Sequence, residues 1–350
     1  SEWNGFKIWL KTGFISMGMG MEKLRDLALR GRFKSASRGK FKRNPNAILD
    51  YESYVAEKMS IERGIKIVAD PGNGSCSLLT PSIFEKVGID AVAINAEPDG
   101  AFPAHPPEPS EETLTEVKRL VLGRKADFGV GFDGDGDRVV FVDDRGEIIP
   151  GDITLAIYVK HLEKKGKVVF DVSSSSALVE VIREKGCEPV EMRVGRAFIL
   201  NAVRELNAVI GGEKSNHFYF PEIWGFDDAI YATLRMAEII SKTGKKLSEL
   251  VDEIPRYPSI PIRTFECPDE LKGRVVELIA EHYRKLGLKV NTIDGVKAYF
   301  DDGWVLVRQS NTMPQVKMTA EAKTEKRLKE IVGEAEELIR KSIKKLKSDR

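Results

Sequence analysis

Cysteine and histidine are the scarce residues of this chain. Cys76, Cys187 and Cys267 stand far apart in 350 residues. An odd count at such spacing argues against a disulfide framework and for a reducing cytoplasm. The four histidines, at 105, 161, 217 and 282, form no metal-ligand spacing, which sets aside the zinc motifs. No apolar run reaches the roughly 20 residues of a membrane span, and no signal peptide is visible. Charge of one sign is lacking too: 55 basic residues face 54 acidic ones, for a net +1. That balance gives no general attraction to nucleic acid. What is present is an ordinary globular composition, 42% hydrophobic and 31% charged. The length suits about two or three domains.

The chain is organised around G-F-D-G-D-G-D-R at 131–138. Asp133, Asp135 and Asp137 alternate with glycines, and strands are expected at 126–131 and 138–142. Carboxylates this close repel one another, so the loop is costly without a cation. Gly134 and Gly136 let the backbone curl until the carboxylates converge. Hard oxygen ligands suit magnesium or calcium rather than zinc. An EF-hand loop is the nearest alternative. Its glycine would fall on Arg138 and its bidentate glutamate on Asp144, and its flanks would be helices. A plain acidic turn between strands is the competing structural reading. Arg138, beside the acids, suggests an anionic substrate close to the metal.

Residues 3–9 read as a strand entered from a turn, and 11–48 are rich in Gly, Arg, Lys and Ser with a helical piece at 22–30. That segment alone cannot bury a core, and it looks like the tail of a domain whose beginning is absent. From residue 61 strands and helices alternate. Strands are expected at 65–69, 90–95 and 126–131, and helices at 76–87 and 111–122. Such alternation means a largely parallel sheet with functional loops at the strands' C-terminal ends. The proline-rich 98–109 reads as a rigid connector. A second α/β unit follows, with helices at 152–163, 177–185, 197–205 and 227–240 and strands at 167–172, 188–192 and 208–211. Ser173–Ser176 reads as a turn and helix cap, although four serines could hold an anion. Beyond 255 five strands and two long helices, at 269–286 and 324–345, describe a separate α+β domain.

Three further stretches could carry chemistry. The loop at 211–217 offers Glu213, Lys214, Ser215 and His217, which could bind the vicinal hydroxyls of a sugar or form an ordinary polar loop. Residues 308–312 bring together Arg308, Ser310, Asn311 and Thr312. Arg can hold a phosphate bidentately while hydroxyls and N–H groups fill the other oxygens. A capped turn is the alternative. In N-G-F-K at 4–7, Lys7 alone would pass as a surface residue. Metal, polyol and phosphate sites together are what phosphoryl transfer on a sugar phosphate requires.

At that point the chain resembles the α-phosphohexomutases, the family of phosphomannomutases and phosphoglucomutases. The matching stretches run in family order: N-G-F-K at 4–7, P-D-G-A-F-P at 98–103, G-F-D-G-D-G-D-R at 131–138, V-G at 194–195, G-G-E-K-S-N-H at 211–217, D-G-V-K at 294–297 and R-Q-S-N-T-M-P at 308–314. The resemblance implies an α/β fold of successive mixed domains with a C-terminal α+β domain. The units would be a first-domain remnant at 1–48, then 49–150 with the metal loop, 151–255 with the sugar loop and 256–350 with the phosphate loop.

It implies a cytoplasmic enzyme in which Asp133, Asp135 and Asp137 hold Mg²⁺ and Arg138 lies against the reacting phosphate. Glu213 and Ser215 would bind sugar hydroxyls, with His217 and Arg196 lining that site. Arg308, Ser310, Asn311 and Thr312 would grip the non-reacting phosphate, and Lys7 would assist proton transfer or phosphate binding. The implied partners are hexose phosphates and hexose 1,6-bisphosphate. A phosphoserine would give its phosphoryl group to the hexose phosphate, and the bisphosphate would reorient and return the other.

Two departures stand out. The family's serine stretch, T-A-S-H-N-P, would precede residue 1 and occurs nowhere in these 350 residues. The expectation is an N-terminally truncated mutase unable to complete the cycle alone, with a sugar-phosphate-binding protein as the alternative. Arg196 also stands where some members carry histidine, and Ser215-Asn216 replaces S-G. Both leave open mannose, glucose or glucosamine.

Overall fold

The computed structural model describes residues 6–11, 13–31, 33, 38–310 and 313–348. It opens on a hairpin of β1 (Trp9–Leu10) and β2 (Gly13–Phe14), then α1 (Met21–Arg30) and α2 (Ala47–Ala56). Of the strand expected at 3–9, residues 3–5 lie outside the described residues and only Trp9 is in a strand. α1 buries none of its side chains, in keeping with a segment that has no core of its own. The hairpin instead leans on a later helix, and Ile15 behind it is 2% exposed.

The first α/β unit contains β3 (Ile65–Asp70), α3 (Thr80–Lys86), β4 (Ile89–Ala93), α4 (Thr115–Arg124), β5 (Phe128–Phe132), β6 (Val139–Val142) and β7 (Ile148–Ile149). The sheet order is β4-β3-β5-β6-β7, with β3 parallel to β4 and β5 and the remainder antiparallel. β5 is buried along its whole length, as expected of a central strand covered on both faces. The helix expected at 76–87 is split. A 3₁₀ turn at Ser75–Leu78 precedes α3, whose first turn carries a proline, and proline suits that position because no N–H is needed there.

The second unit contains α5 (Gly151–Lys160), β8 (Lys167–Asp171), α6 (Ser176–Glu184), β9 (Glu188–Met192), α7 (Arg196–Glu205), β10 (Ile210–Gly212), β11 (Phe218–Tyr219), α8 (Ala229–Thr243) and α9 (Leu247–Asp252). The order β11-β10-β8-β9 is parallel except for the β10–β11 hairpin. Two caps are legible in sequence. Ser175 Oγ accepts the Ala177 N–H at 3.1 Å, and Asp228 accepts the Tyr231 N–H at 2.8 Å. α7 receives the N-terminal hairpin: Asn201 accepts the Phe14 N–H at 3.1 Å and donates to the Phe14 carbonyl at 2.9 Å.

The last unit is β12 (Arg263–Glu266), α10 (Asp269–Lys285), β13 (Lys289–Asn291), β14 (Val296–Phe300), β15 (Gly303–Gln309), β16 (Gln315–Ala322) and α11 (Glu325–Ser348). Its sheet, β12-β16-β15-β14-β13, is antiparallel throughout. One apolar core runs through both α/β units, from Val55 to Ile254. The last unit has its own, and a small cluster of Val172, Trp304 and Leu306 joins the two. Among the described residues no helix is long and apolar enough to cross a membrane.

Candidate active site

The acidic loop leaves the C-terminal end of β5 and returns as β6. Asp133 is 3% exposed and organises it. Its Oδ1 accepts the N–H groups of Gly136, Asp137 and Arg138 at 3.0, 3.1 and 3.1 Å. Its Oδ2 accepts Arg138 Nε at 2.8 Å. Gly136 adopts φ +74°, and a Cβ there would lie 2.5 Å from Cys76 Sγ. The curl therefore needs glycine on two counts.

Carboxylate oxygens of Asp133, Asp135 and Asp137 lie within 4.8 Å of one another. Burial, and then the charge of Asp137, raises the Asp133 carboxyl to about 6. Burial pushes Asp137 upward too, but His217, Lys7 and Arg196 outweigh it and leave it below its usual value. The Lys7 ammonium bridges Asp135 and Asp137. A cation is thus already drawn to the loop, and three hard oxygen donors fit Mg²⁺ or Ca²⁺.

Arg138 is held by Asp133 on one side and by Glu108 at 2.7 Å on the other. Glu108 belongs to the proline-rich stretch, which does more than connect. The Pro107 carbonyl accepts the Gly134 N–H at 3.1 Å. His105 reaches the buried Asp70 at 3.1 Å, and Asp70 also accepts from Asn95 at 3.1 Å. The stretch clamps the acidic loop at Gly134 and Arg138.

Arg196, at the start of α7, reaches Asp137 at 3.2 Å and pairs with Asp227. His217 Nδ1 stands 2.9 Å from Asp227 and 3.6 Å from Asp137. Burial lowers the His217 pKa, but Asp227, Glu213 and Asp137 outweigh it, so it ends above its usual value. Asp227, with a fully buried side chain, was not anticipated. It begins no motif and meets these groups only through the fold. Arg196 and His217 edge a cavity of about 500 Å³ with Lys7, Phe14 and the acidic loop, and Asp227 holds both from behind.

Glu213 is 2% exposed. Its oxygens accept the Tyr219 hydroxyl at 2.6 Å and the Gly195 N–H at 3.2 Å, so it braces the V-G-R turn. Burial raises its pKa ahead of the lowering by His217 and Tyr219. Ser215 faces a second cavity of about 340 Å³ between the second and last units, with Lys214, Val194, Arg308 and Lys317. Val194 lines this cavity while Gly195 and Arg196 line the first, so one turn joins them.

Two more unanticipated residues belong here. Asp171, at the end of β8, accepts the Ser173 and Lys214 N–H groups at 2.8 and 2.7 Å. Lys317 is directly opposite Arg308 in the β15–β16 ladder. Ser310 is 3% exposed, and its hydroxyl accepts the Met313 N–H at 3.2 Å. Lys272 ties the Ser310 and Met313 carbonyls at 2.6 and 3.1 Å. Asn311 and Thr312 lie outside the described residues.

Residues 49–146, 150–257 and 265–338 match phosphoglucomutase/phosphomannomutase alpha/beta/alpha domain II, alpha/beta/alpha domain III and the C-terminal domain. The chain belongs to this family. A phosphohexomutase-type fold of mixed α/β units with a C-terminal domain follows. The chain is 35% identical to a probable phosphoglucosamine mutase of Methanopyrus kandleri, over 99% of its own length and 78% of the relative's. It is 34% identical to a phosphoglucomutase/phosphomannomutase of Thermococcus kodakarensis, over 98% and 77%. The crystal structure of a phosphoglucomutase/phosphomannomutase family protein from Burkholderia thailandensis superposes with a TM-score of 0.85 at 28% identity, covering 92% of this chain and 70% of that one. These relatives of the phosphohexomutase are sugar-phosphate mutases by name, that is, isomerases.

Proposed function

We propose that this phosphohexomutase is a Mg²⁺-dependent intramolecular phosphotransferase. With a serine segment that residues 1–350 do not contain, it interconverts hexose 6-phosphate and hexose 1-phosphate through a phosphoserine and a hexose 1,6-bisphosphate. One observation carries the reading: the V-G-R turn joins an acidic, cation-holding cavity to a cavity walled by Arg308 and Lys317. A bisphosphate has a place for each end. Asp133, Asp135 and Asp137 would hold the metal, which supplies charge neutralisation at the transferring phosphoryl group. Arg138 orients that group. Arg196 adds positive charge beside it, and His217, whose pKa the neighbouring carboxylates raise, can hold or pass a proton at Nδ1. Lys7 assists proton transfer or binds phosphate. Ser215 and the braced Glu213 address the sugar. Arg308, Ser310, Asn311 and Thr312 hold the other phosphate.

The first-domain segment at 1–48 and units at 49–150, 151–255 and 256–350 complete this assignment. The sugar is mannose or glucose in the first instance. The names of the relatives bring in glucosamine, and the enzyme would act in the cytoplasm.

Residues 1–350 contain no T-A-S-H-N-P stretch. The test is a coupled mutase assay on mannose, glucose and glucosamine phosphates with Mg²⁺ and glucose 1,6-bisphosphate. It compares this chain with a version preceded by a serine-loop segment. Turnover only in the longer form is expected. Turnover in both would mean that another group accepts the phosphoryl. Bisphosphate binding without turnover in either would favour a non-catalytic sugar-phosphate-binding protein.

A further inference from the structure

Asp294 lies in the turn between β13 and β14, beside Val194 and Arg308 of the interdomain cavity. One oxygen, Oδ2, serves two partners on two units. It accepts the Val194 N–H at 3.2 Å and faces Arg308 Nη1 at 3.6 Å. Val194 opens the V-G-R turn, and Arg308 is the candidate phosphate ligand. The Asp294 side chain is 15% exposed, so the pair is largely sheltered. The turn cannot slide along β15. Gly295 adopts φ +81°, and a Cβ there would lie 2.4 Å from the Val307 carbonyl and 2.6 Å from Arg308 Cβ. Two residues beyond Gly295, the buried Lys297 donates to the Val172 carbonyl at 2.7 Å and to Glu191 at 2.8 Å. Asn291, before the turn, donates to Glu191 at 2.6 Å.

We propose that Asp294 is a positioning residue. It fixes the Arg308 guanidinium in the orientation that a phosphate group in the cavity requires, and ties that orientation to the V-G-R turn of the neighbouring unit. The proposal rests on the hexose phosphate reading above. Its physical basis is preorganisation: an arginine already held by a carboxylate loses less freedom on gripping phosphate. Charge works the other way, since a carboxylate behind the site repels the incoming anion. The two effects therefore predict opposite signs for an isosteric amide.

Calorimetric titration of glucose 1,6-bisphosphate, with Mg²⁺, into the full chain separates them. Asp294→Asn should weaken binding about five-fold, within the range for coupled neighbours. In an Arg308→Gln background the same change should have no effect or tighten binding. Tighter binding in Asp294→Asn alone, or equal loss in both backgrounds, would overturn the proposal. A second readout needs no ligand. In ¹⁵N-labelled protein the Arg308 Nε–H resonance should shift and broaden in Asp294→Asn. An unmoved resonance would overturn the proposal by itself. Wild-type protein that binds no bisphosphate would remove the mutase reading and leave the resonance to decide the role of Asp294.

Discussion

Asp137 draws three basic side chains at once. Lys7, Arg196 and His217 all approach it. A metal at the acidic loop would have to share its oxygens with the Lys7 ammonium, whose pKa burial lowers but Asp135 and Asp137 raise above its usual value. Lys7 is 44% exposed, so its hold is that of a surface pair, about 0.2–1 kcal/mol. Lys7→Gln should therefore strengthen Mg²⁺ binding by up to about five-fold. Mn²⁺ resonance or calorimetry reads this, and weaker binding would show that lysine and metal do not compete. A second residue-scale prediction concerns His161, which lines neither cavity of the site. Burial lowers its pKa, only partly opposed by Glu253. The unfolded chain then binds the extra proton first as pH falls below about 6.5, so stability is lost on the acid side. His161→Gln should shrink the drop in melting temperature between pH 7.5 and pH 5.5. An identical drop in both proteins would refute it.

At the scale of elements, the acidic loop depends on a neighbour that sequence reading took for a connector. The 98–109 stretch holds Gly134 through Pro107 and Arg138 through Glu108, and His105 anchors it to Asp70, which is 1% exposed. His105→Ala leaves a buried carboxylate short of a partner, at a cost of about 1–3 kcal/mol. Thermal melts should show that loss, and Mg²⁺ should bind more weakly because the clamp loosens. Unchanged Mg²⁺ affinity in a destabilised variant would confine His105 to folding. Apolar alternation and glycine spacing made β3, β5 and the loop between β5 and β6 legible to within a few residues. α2 escaped because its burial is set by partners far along the chain: Tyr51 donates to Asp228 at 2.8 Å. The two-residue β7 and β11 carry no period to read. Asp171, Asp227 and Lys317 were invisible for the same reason as α2. Each is an isolated polar residue whose meaning comes from a distant strand end.

The whole molecule divides unevenly. The two α/β units share one core, while the last unit keeps its own and meets them through Val172, Trp304 and Leu306. So small an apolar contact leaves polar groups to fasten the joint. Lys297, 3% exposed, is the principal one, with Glu191 and the Val172 carbonyl as partners and Trp304 4.3 Å beneath the ammonium. Burial lowers the Lys297 pKa and Glu191 only partly restores it, as expected for a charge withdrawn from water. Removing one member of such a pair costs about 3–5 kcal/mol, whereas replacing both with apolar groups costs much less. Lys297→Met should therefore loosen the last unit selectively. Calorimetry should resolve an early transition, and Trp304 fluorescence should report that step. The double variant Lys297→Met, Glu191→Leu should recover much of the loss. If Lys297→Met instead lowers one common transition, with no separate Trp304 step, the last unit is not held by this pair and the coupling runs through the apolar contact.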